Sequence, residues 1–176
     1  MFPLVLPCRF TLPLLIILVS GAVLAPAVTV TTIDYPGATF TAAAGINTAG
    51  QIVGTYLDST KTAHGFLLNA GTYTSIEVPG AYTTMAYGIN NSGQISGYFF
   101  GSDSRTHGFF LDGTQYTTLD FPGAQDTYAA GLNSGGEVVG AFVDASNTSH
   151  GINDNGTMGG SYEDKTGVTH SFSGPN

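Results

Sequence analysis

Gly45-Ile46-Asn47-Thr48-Ala49-Gly50-Gln51-Ile52-Val53-Gly54, followed ten residues on by His64-Gly65-Phe66, decides the fold because it recurs. It returns as Gly88-Ile89-Asn90-Asn91-Ser92-Gly93-Gln94-Ile95-Ser96-Gly97 with His107-Gly108-Phe109. It returns again as Gly131-Leu132-Asn133-Ser134-Gly135-Gly136-Glu137-Val138-Val139-Gly140 with His150-Gly151-Ile152. Each step is 43 residues, and so is the step between the breakers Pro36-Gly37, Pro79-Gly80 and Pro122-Gly123. A fixed period of about 40–50 residues marks a stacked repeat array. A fourth Gly-Ile-Asn comes early, at Gly151-Ile152-Asn153, so the end of one unit is fused to the start of the next at His150-Gly151. Regular spacing then resumes, with Gly160 ten residues before His170.

Each unit reads as four short strands. In the first unit these are residues 41–47, 51–58, 63–69 and 72–78, joined by tight turns at Thr48-Ala49-Gly50 and Ala70-Gly71 and by a polar turn before residue 63. Short strands and short turns make an antiparallel meander. Asn47-x-x-Gly50 and its copies suit a self-capping turn ended by a left-handed glycine. Each Pro-Gly pair suits a type II turn. Gly54, Gly97, Gly140 and Gly160 fall inside the second strand, where glycine marks a bulge or a close backbone approach. That strand is apolar on both faces, with Ile52 and Tyr56 on one and Val53 and Leu57 on the other. A sheet sandwiched between two neighbours reads this way. The expected fold is all-β: tandem four-stranded meanders forming propeller-like blades, about three and a half units, as a partial or composite β-propeller.

The expected organisation is a signal peptide at 1–27 and one β-repeat domain at 28–176, with units near 33–75, 76–118, 119–150 and a truncated 151–176. Phe10 to Ile33 carries no charge, and Ala25-Pro26-Ala27 supplies the small-x-small pattern of a signal peptidase site. A retained membrane anchor is the rival reading. Pro13, Gly21 and Pro26 count against it as a permanent helix, and both readings export the rest of the chain. The only cysteine, Cys8, lies in that segment, so the repeats have no disulfide, thiolate nucleophile or cysteine metal site.

The chain has 176 residues, 4 Lys plus Arg against 12 Asp plus Glu, a net charge of −8, and 9% charged residues. This acidic balance argues against nucleic acid and against anionic membrane surfaces beyond the signal segment. Hydrophobic residues at 42% suffice for a core.

The pattern G-[IL]-N-x-x-G-[QE]-[IV]-x-G followed by H-G-F resembles the extracellular repeats called the HAF family, over Ile33 to Phe172. Gly65 and Gly108 stand where that family's name has alanine, Ser171 follows His170, and one unit is fused. The resemblance implies a bacterial exported protein, secreted or in the cell envelope, with a β-repeat fold. It implies no settled biochemical activity.

Four histidines, His64, His107, His150 and His170, hold one repeat position. Convergence of their imidazoles on a metal is one reading. Local hydrogen bonding within each unit is favoured, because residues 43 apart belong to separate blades. Asp58, Asp144 and Asp164 follow the second strand, with Gly101 at that place in the second unit. They read as turn caps, with weak calcium binding through loop oxygens as the alternative; Asn153-Asp154-Asn155-Gly156 adds half of a calcium-loop pattern. Tyr56, Tyr98, Phe142 and Tyr162 read as one aromatic position, packed between blades. Asp34, Glu77 and Asp120 precede the Pro-Gly turns.

No nucleophile elbow, zinc-protease helix or phosphate loop occurs. No catalytic residue and no cofactor is therefore expected. The functional expectation is a non-catalytic binding or structural role outside the cell, with a glycan or protein ligand. Self-association is expected, because three and a half units do not close a ring. The alternatives are a glycan-active hydrolase or lyase using paired carboxylates, and a truncated, non-functional relic of a longer array.

Overall fold

The computed structural model describes residues 30–153, 157–163 and 169–175, with side chains as far as residue 151. The signal-peptide segment, Asp154 to Gly156 and Asp164 lie outside the described residues. The described residues form thirteen strands and no helix. The first sheet is β1 (Phe40–Ile46), β2 (Ile52–Leu57), β3 (Ala63–Asn69) and β4 (Thr72–Ile76). The second is β5 (Thr83–Ile89), β6 (Ile95–Phe100), β7 (Thr106–Asp112) and β8 (Gln115–Leu119). Both are antiparallel meanders in chain order. The third has three strands, β9 (Asp126–Leu132), β10 (Val138–Val143) and β11 (Ser149–Asn153). A two-stranded pair follows, β12 (Thr157–Glu163) and β13 (Thr169–Pro175). The fusion at His150-Gly151 explains the short third sheet: β11 pairs with β10 as a third strand, and the next strand is already the second strand of a new unit. In that new unit Tyr162 is paired in register with His170, as Tyr56 is with His64.

The turns take the geometry their residues allow. Gly37, Gly80 and Gly123 have φ of 78°, 82° and 82°, and the following alanine amide bonds back to the residue before proline. Positive φ at the third position is what a Pro-Gly type II turn requires.

The strand glycines have a different cause. Opposite Gly54, Gly97 and Gly140, the first strand of each sheet bulges by one residue, at Ala44, Tyr87 and Ala130. The bulge pushes a carbonyl across the pair. A Cβ on Gly54 would lie 2.0 Å from the Ala42 oxygen, one on Gly97 2.0 Å from the Met85 oxygen, and one on Gly140 1.9 Å from the Tyr128 oxygen. No side chain fits there.

The sheets pack face on face through their first strands. Strand β5 lies against β2 and β3 of the sheet before it, and β9 lies against β6 and β7. The core between the first two sheets holds Val53, Ile76 and Val78 with Ala86, Ile89, Ile95, Phe109 and Leu111. The glycine of His-Gly-Phe makes this contact close: a Cβ on Gly65 would sit 3.5 Å from the Cβ of Ala86, and one on Gly108 3.3 Å from that of Ala129.

Candidate functional site

Three sets of polar or aromatic residues recur from sheet to sheet, and each is built by the same local rules. The first is a ladder of asparagines at the end of the first strands. Asn47 is buried and its Oδ1 accepts the amides of Ala49 and Gln51, which closes its own turn. Its Nδ2 donates to Gln51 Oε1 at 2.7 Å and to the carbonyl of Asn90 in the next sheet at 3.0 Å. Asn90 repeats the pattern, donating to Gln94 Oε1 and to the carbonyl of Asn133 at 3.0 Å. Asn133 likewise caps Gly135 and Glu137 and pairs with the Glu137 carboxylate. One amide therefore closes a turn and ties two sheets together. The ladder borders an open depression of about 340 Å³, lined by Ile46, Asn47 and Thr48 and by their equivalents in the next two sheets.

The second set holds the histidines. His64 Nδ1 lies 2.8 Å from Glu77 Oε1, and its Nε2 lies 3.3 Å from Asp58 Oδ2. His107 Nδ1 lies 2.9 Å from Asp120, and its Nε2 lies 3.1 Å from Asp103. His150 Nε2 lies 2.9 Å from Asp144. Each imidazole is held within its own sheet, and the described histidines do not share a ligand. The side chain of His170 lies outside the described residues. Among the described residues, no group of three His, Cys, Asp or Glu side chains is arranged to hold a metal ion.

Asp58 and Asp144 each do two jobs. Asp58 Oδ1 accepts the amides of Thr60 and Thr62 and the Thr60 hydroxyl, while Oδ2 faces His64. Asp144 does the same with Ser146, Thr148 and His150. Hydrogen bonds to a carboxylate favour its charged form. The Thr60 hydroxyl and Thr62 amide bring Asp58 down to about 2. His150, then Ser146 and Thr148, hold Asp144 well below the usual carboxylate range. His107 brings Asp103 down as well. Burial works against the charged form of His107, but Asp103 and Asp120 together outweigh it and raise its pKa.

Sequence reasoning missed Asp103, which reaches His107 from two positions beyond Gly101. It also missed that the acids before the Pro-Gly turns face histidines. The constant interval from His64 to Glu77 and from His107 to Asp120 carries that signal.

The third set is aromatic. Tyr56 stacks on His64 at 5.0 Å, Phe99 on His107 at 5.1 Å and Phe142 on His150 at 4.7 Å. This corrects the sequence assignment of Tyr98 to that row: Phe99, two residues after Gly97, is the equivalent of Tyr56. Tyr98 points to the opposite face, because adjacent strand residues alternate. There it stacks on Tyr87 at 5.0 Å and meets Tyr128 edge-on at 5.0 Å, filling the space between the second and third sheets.

Between the first and second sheets the equivalent space is not filled. Ala44 stands where Tyr87 does in the next unit, and Thr55 stands where Tyr98 does. The result is a groove of about 600 Å³ with a mainly apolar lining that includes Phe40, Ala44, Thr55, Leu57, Met85 and Tyr87. No protein-family model matches the chain, and no curated protein matches it.

Proposed function

We propose that the chain is an exported, propeller-like repeat protein with a non-catalytic role, presenting a binding surface outside the cell. One observation carries this reading: each described histidine is already engaged with a carboxylate inside its own sheet. Asp58 and Glu77 hold an imidazole between them, as do Asp103 and Asp120. Carboxylates that cleave a glycoside need the sugar in that space. The same arrangement in both four-stranded sheets serves packing in each, whereas a catalytic centre is needed once.

Export rests on the apolar segment before Ala25-Pro26-Ala27 and on the resemblance to HAF repeats. The propeller-like reading rests on face-to-face stacking through the first strand of each four-stranded unit. The groove left by Ala44 and Thr55 is the place for a ligand. It presents the rings of Phe40 and Tyr87 beside apolar side chains, a surface suited to the apolar face of a sugar ring.

The test is to pass surface polysaccharides and their oligosaccharides over the immobilised protein while assaying the eluate for new reducing ends. Retention without new ends is expected, and it weakens in Tyr87→Ala. Release of reducing ends that disappears in Asp120→Asn would establish the hydrolase alternative. A chain that unfolds without a cooperative transition would establish the relic alternative.

A further inference from the structure

The packing between sheets works as a knob in a hole, and each end of the stack has one half of that fit left over. In the first interface the knob is Val53, 0% exposed, and the hole holds Ile76, Ala86, Ile89 and Ile95, none more than 9% exposed. One repeat later the knob is Ser96, also 0% exposed, against the third sheet, where Ala129 and Val138 are buried. One repeat earlier, the four hole residues correspond to Ile33, Ala43, Ile46 and Ile52. These line an open apolar depression of about 290 Å³ on the outer face of the first sheet, and Ile46 is 66% exposed. The next knob is Val139 on β10, and it is 48% exposed. Among the described residues, the stack thus presents an open hole at one end and an exposed knob at the other, both drawn from the series that forms its internal interfaces.

The charged groups have the same asymmetry. His64 and His107 each face a loop aspartate and the acid before the following Pro-Gly turn. Among the described residues, His150 faces one carboxylate, Asp144. Asp34, the first acid of the Pro-Gly series, has no histidine one strand before it in the repeats and is exposed. An extension of the stack that seats Val139 in the hole brings His150 towards Asp34.

We infer that a second copy of this chain docks head to tail, the β10–β11 face of one copy covering the Ile33, Ala43, Ile46 and Ile52 depression of the other. This goes beyond the ligand reading and stands whether or not the groove takes a sugar. It is a heterologous contact, and such contacts close into rings or propagate according to the rotation per step.

The internal interface supplies the test. The 3.5 Å between a Cβ at Gly65 and that of Ala86 lies at the short edge of the usual disulfide range of about 3.5–4.5 Å. The equivalent pair across the proposed contact is Gly151 and Ala43. In a Cys8→Ser background, Ala43→Cys protein is mixed with Gly151→Cys protein and oxidised. Covalent heterodimers are expected, and the double variant should give dimers or a ladder of multiples. An internal disulfide in a monomeric double variant would overturn the inference, since the chain would then be covering its own end. Sedimentation of the otherwise unaltered protein gives a second measurement that does not depend on folding of the Gly151 variant. Association is expected, weakened about tenfold or more by Ile46→Lys. A monomer at all concentrations would overturn the inference.

Discussion

Ser96 is fully buried, and its hydroxyl has no hydrogen-bond partner. The equivalent residues in the neighbouring units are Val53 and Val139, and Val53 is equally buried. Ser96→Val should therefore stabilise the protein. An unpaired buried hydroxyl costs about 1–3 kcal/mol. Valine also adds an apolar carbon worth about 0.8 kcal/mol when buried. Against this stands tighter packing beside Leu132: a Cβ built on Gly88 would approach both Ser96 Oγ and a Leu132 methyl, at 2.7 and 2.8 Å, so little free volume separates the two side chains. Crowding of this kind costs about 1 kcal/mol or more. The net expectation is a gain of about 1–2 kcal/mol. At about 2–4 °C per kcal/mol for a chain of this length, Tm rises by about 2–8 °C. Thermal and urea unfolding of Ser96→Val and Ser96→Ala separate the two contributions. Ser96→Ala removes the hydroxyl without filling the hole and should gain about 1 kcal/mol. A loss of more than about 1 kcal/mol in Ser96→Ala would mean that the hydroxyl is satisfied in solution, and the reasoning from an unpaired group would fall. A neutral Ser96→Ala beside a destabilised Ser96→Val would mean that the hole is smaller than the one that seats Val53.

Other consequences are as direct. Asn90→Ala removes two donated and two accepted hydrogen bonds from a buried amide, and should cost about 2–4 kcal/mol in urea unfolding. Gly97→Ala places a methyl 2.0 Å from the Met85 oxygen and should cost about 3 kcal/mol or more. Gly135→Ala, whose nearest neighbour would be Asn133 Oδ1 at 3.3 Å, should change stability by no more than about 0.5 kcal/mol. For pH the signs differ by group. Asp58 has a folded pKa of about 2 against an ordinary 3.8, so its contribution is present above 3.8 and is lost as pH falls towards 2. His107 is raised above 6.5, so its contribution is present below 6.5 and is lost as pH rises through the folded value. In Tm profiles Asp58→Asn should therefore flatten the acid limb and His107→Gln the alkaline one. Unchanged limbs would show that these pairs do not report on folding.

The four-strand unit was legible because its turns are written in residues with few alternatives. Pro-Gly and Asn-x-x-Gly fix where strands end, and the strand glycines mark where a carbonyl crosses the pair. The site was less legible for a physical reason. Hydrogen-bond partners such as His64 and Glu77 sit on neighbouring parts of one sheet but thirteen residues apart, and periodicity ranks neither as the other's partner. Likewise, reading the aromatic row by proximity to Gly97 confused Tyr98 with Phe99. In a strand a slip of one residue moves a side chain to the other face. The asparagine ladder was read as turn capping alone, because a sequence shows the four-residue turn but not the carbonyl of the next sheet.

In a repeat protein, residues shared by every unit report what each unit needs in order to fold. Departures from the repeat report where the units do different work. Asn47, Gly54 and His64 belong to the first class, and Ala44 and Thr55 to the second. If the groove of about 600 Å³ is only an imperfection in packing, filling it with the residues of the next unit should have one consequence, a gain in stability. Ala44→Tyr with Thr55→Tyr would rebuild the Tyr87–Tyr98 stack, whose rings lie 5.0 Å apart with their hydroxyls 3.0 Å apart. A stacked aromatic pair contributes about 0.5–1.5 kcal/mol beyond its burial, so the double variant should unfold at higher temperature. If the groove is a ligand site, the same variant should also lose retention on the polysaccharide column, while Tyr82→Ala, at an exposed ring away from the groove, keeps it. A stabilised variant that binds as before would place the ligand elsewhere, with the asparagine-lined depression next in line. A destabilised variant would mean that the first two sheets are spaced differently from the next two, and that the repeat equivalence does not extend to this face.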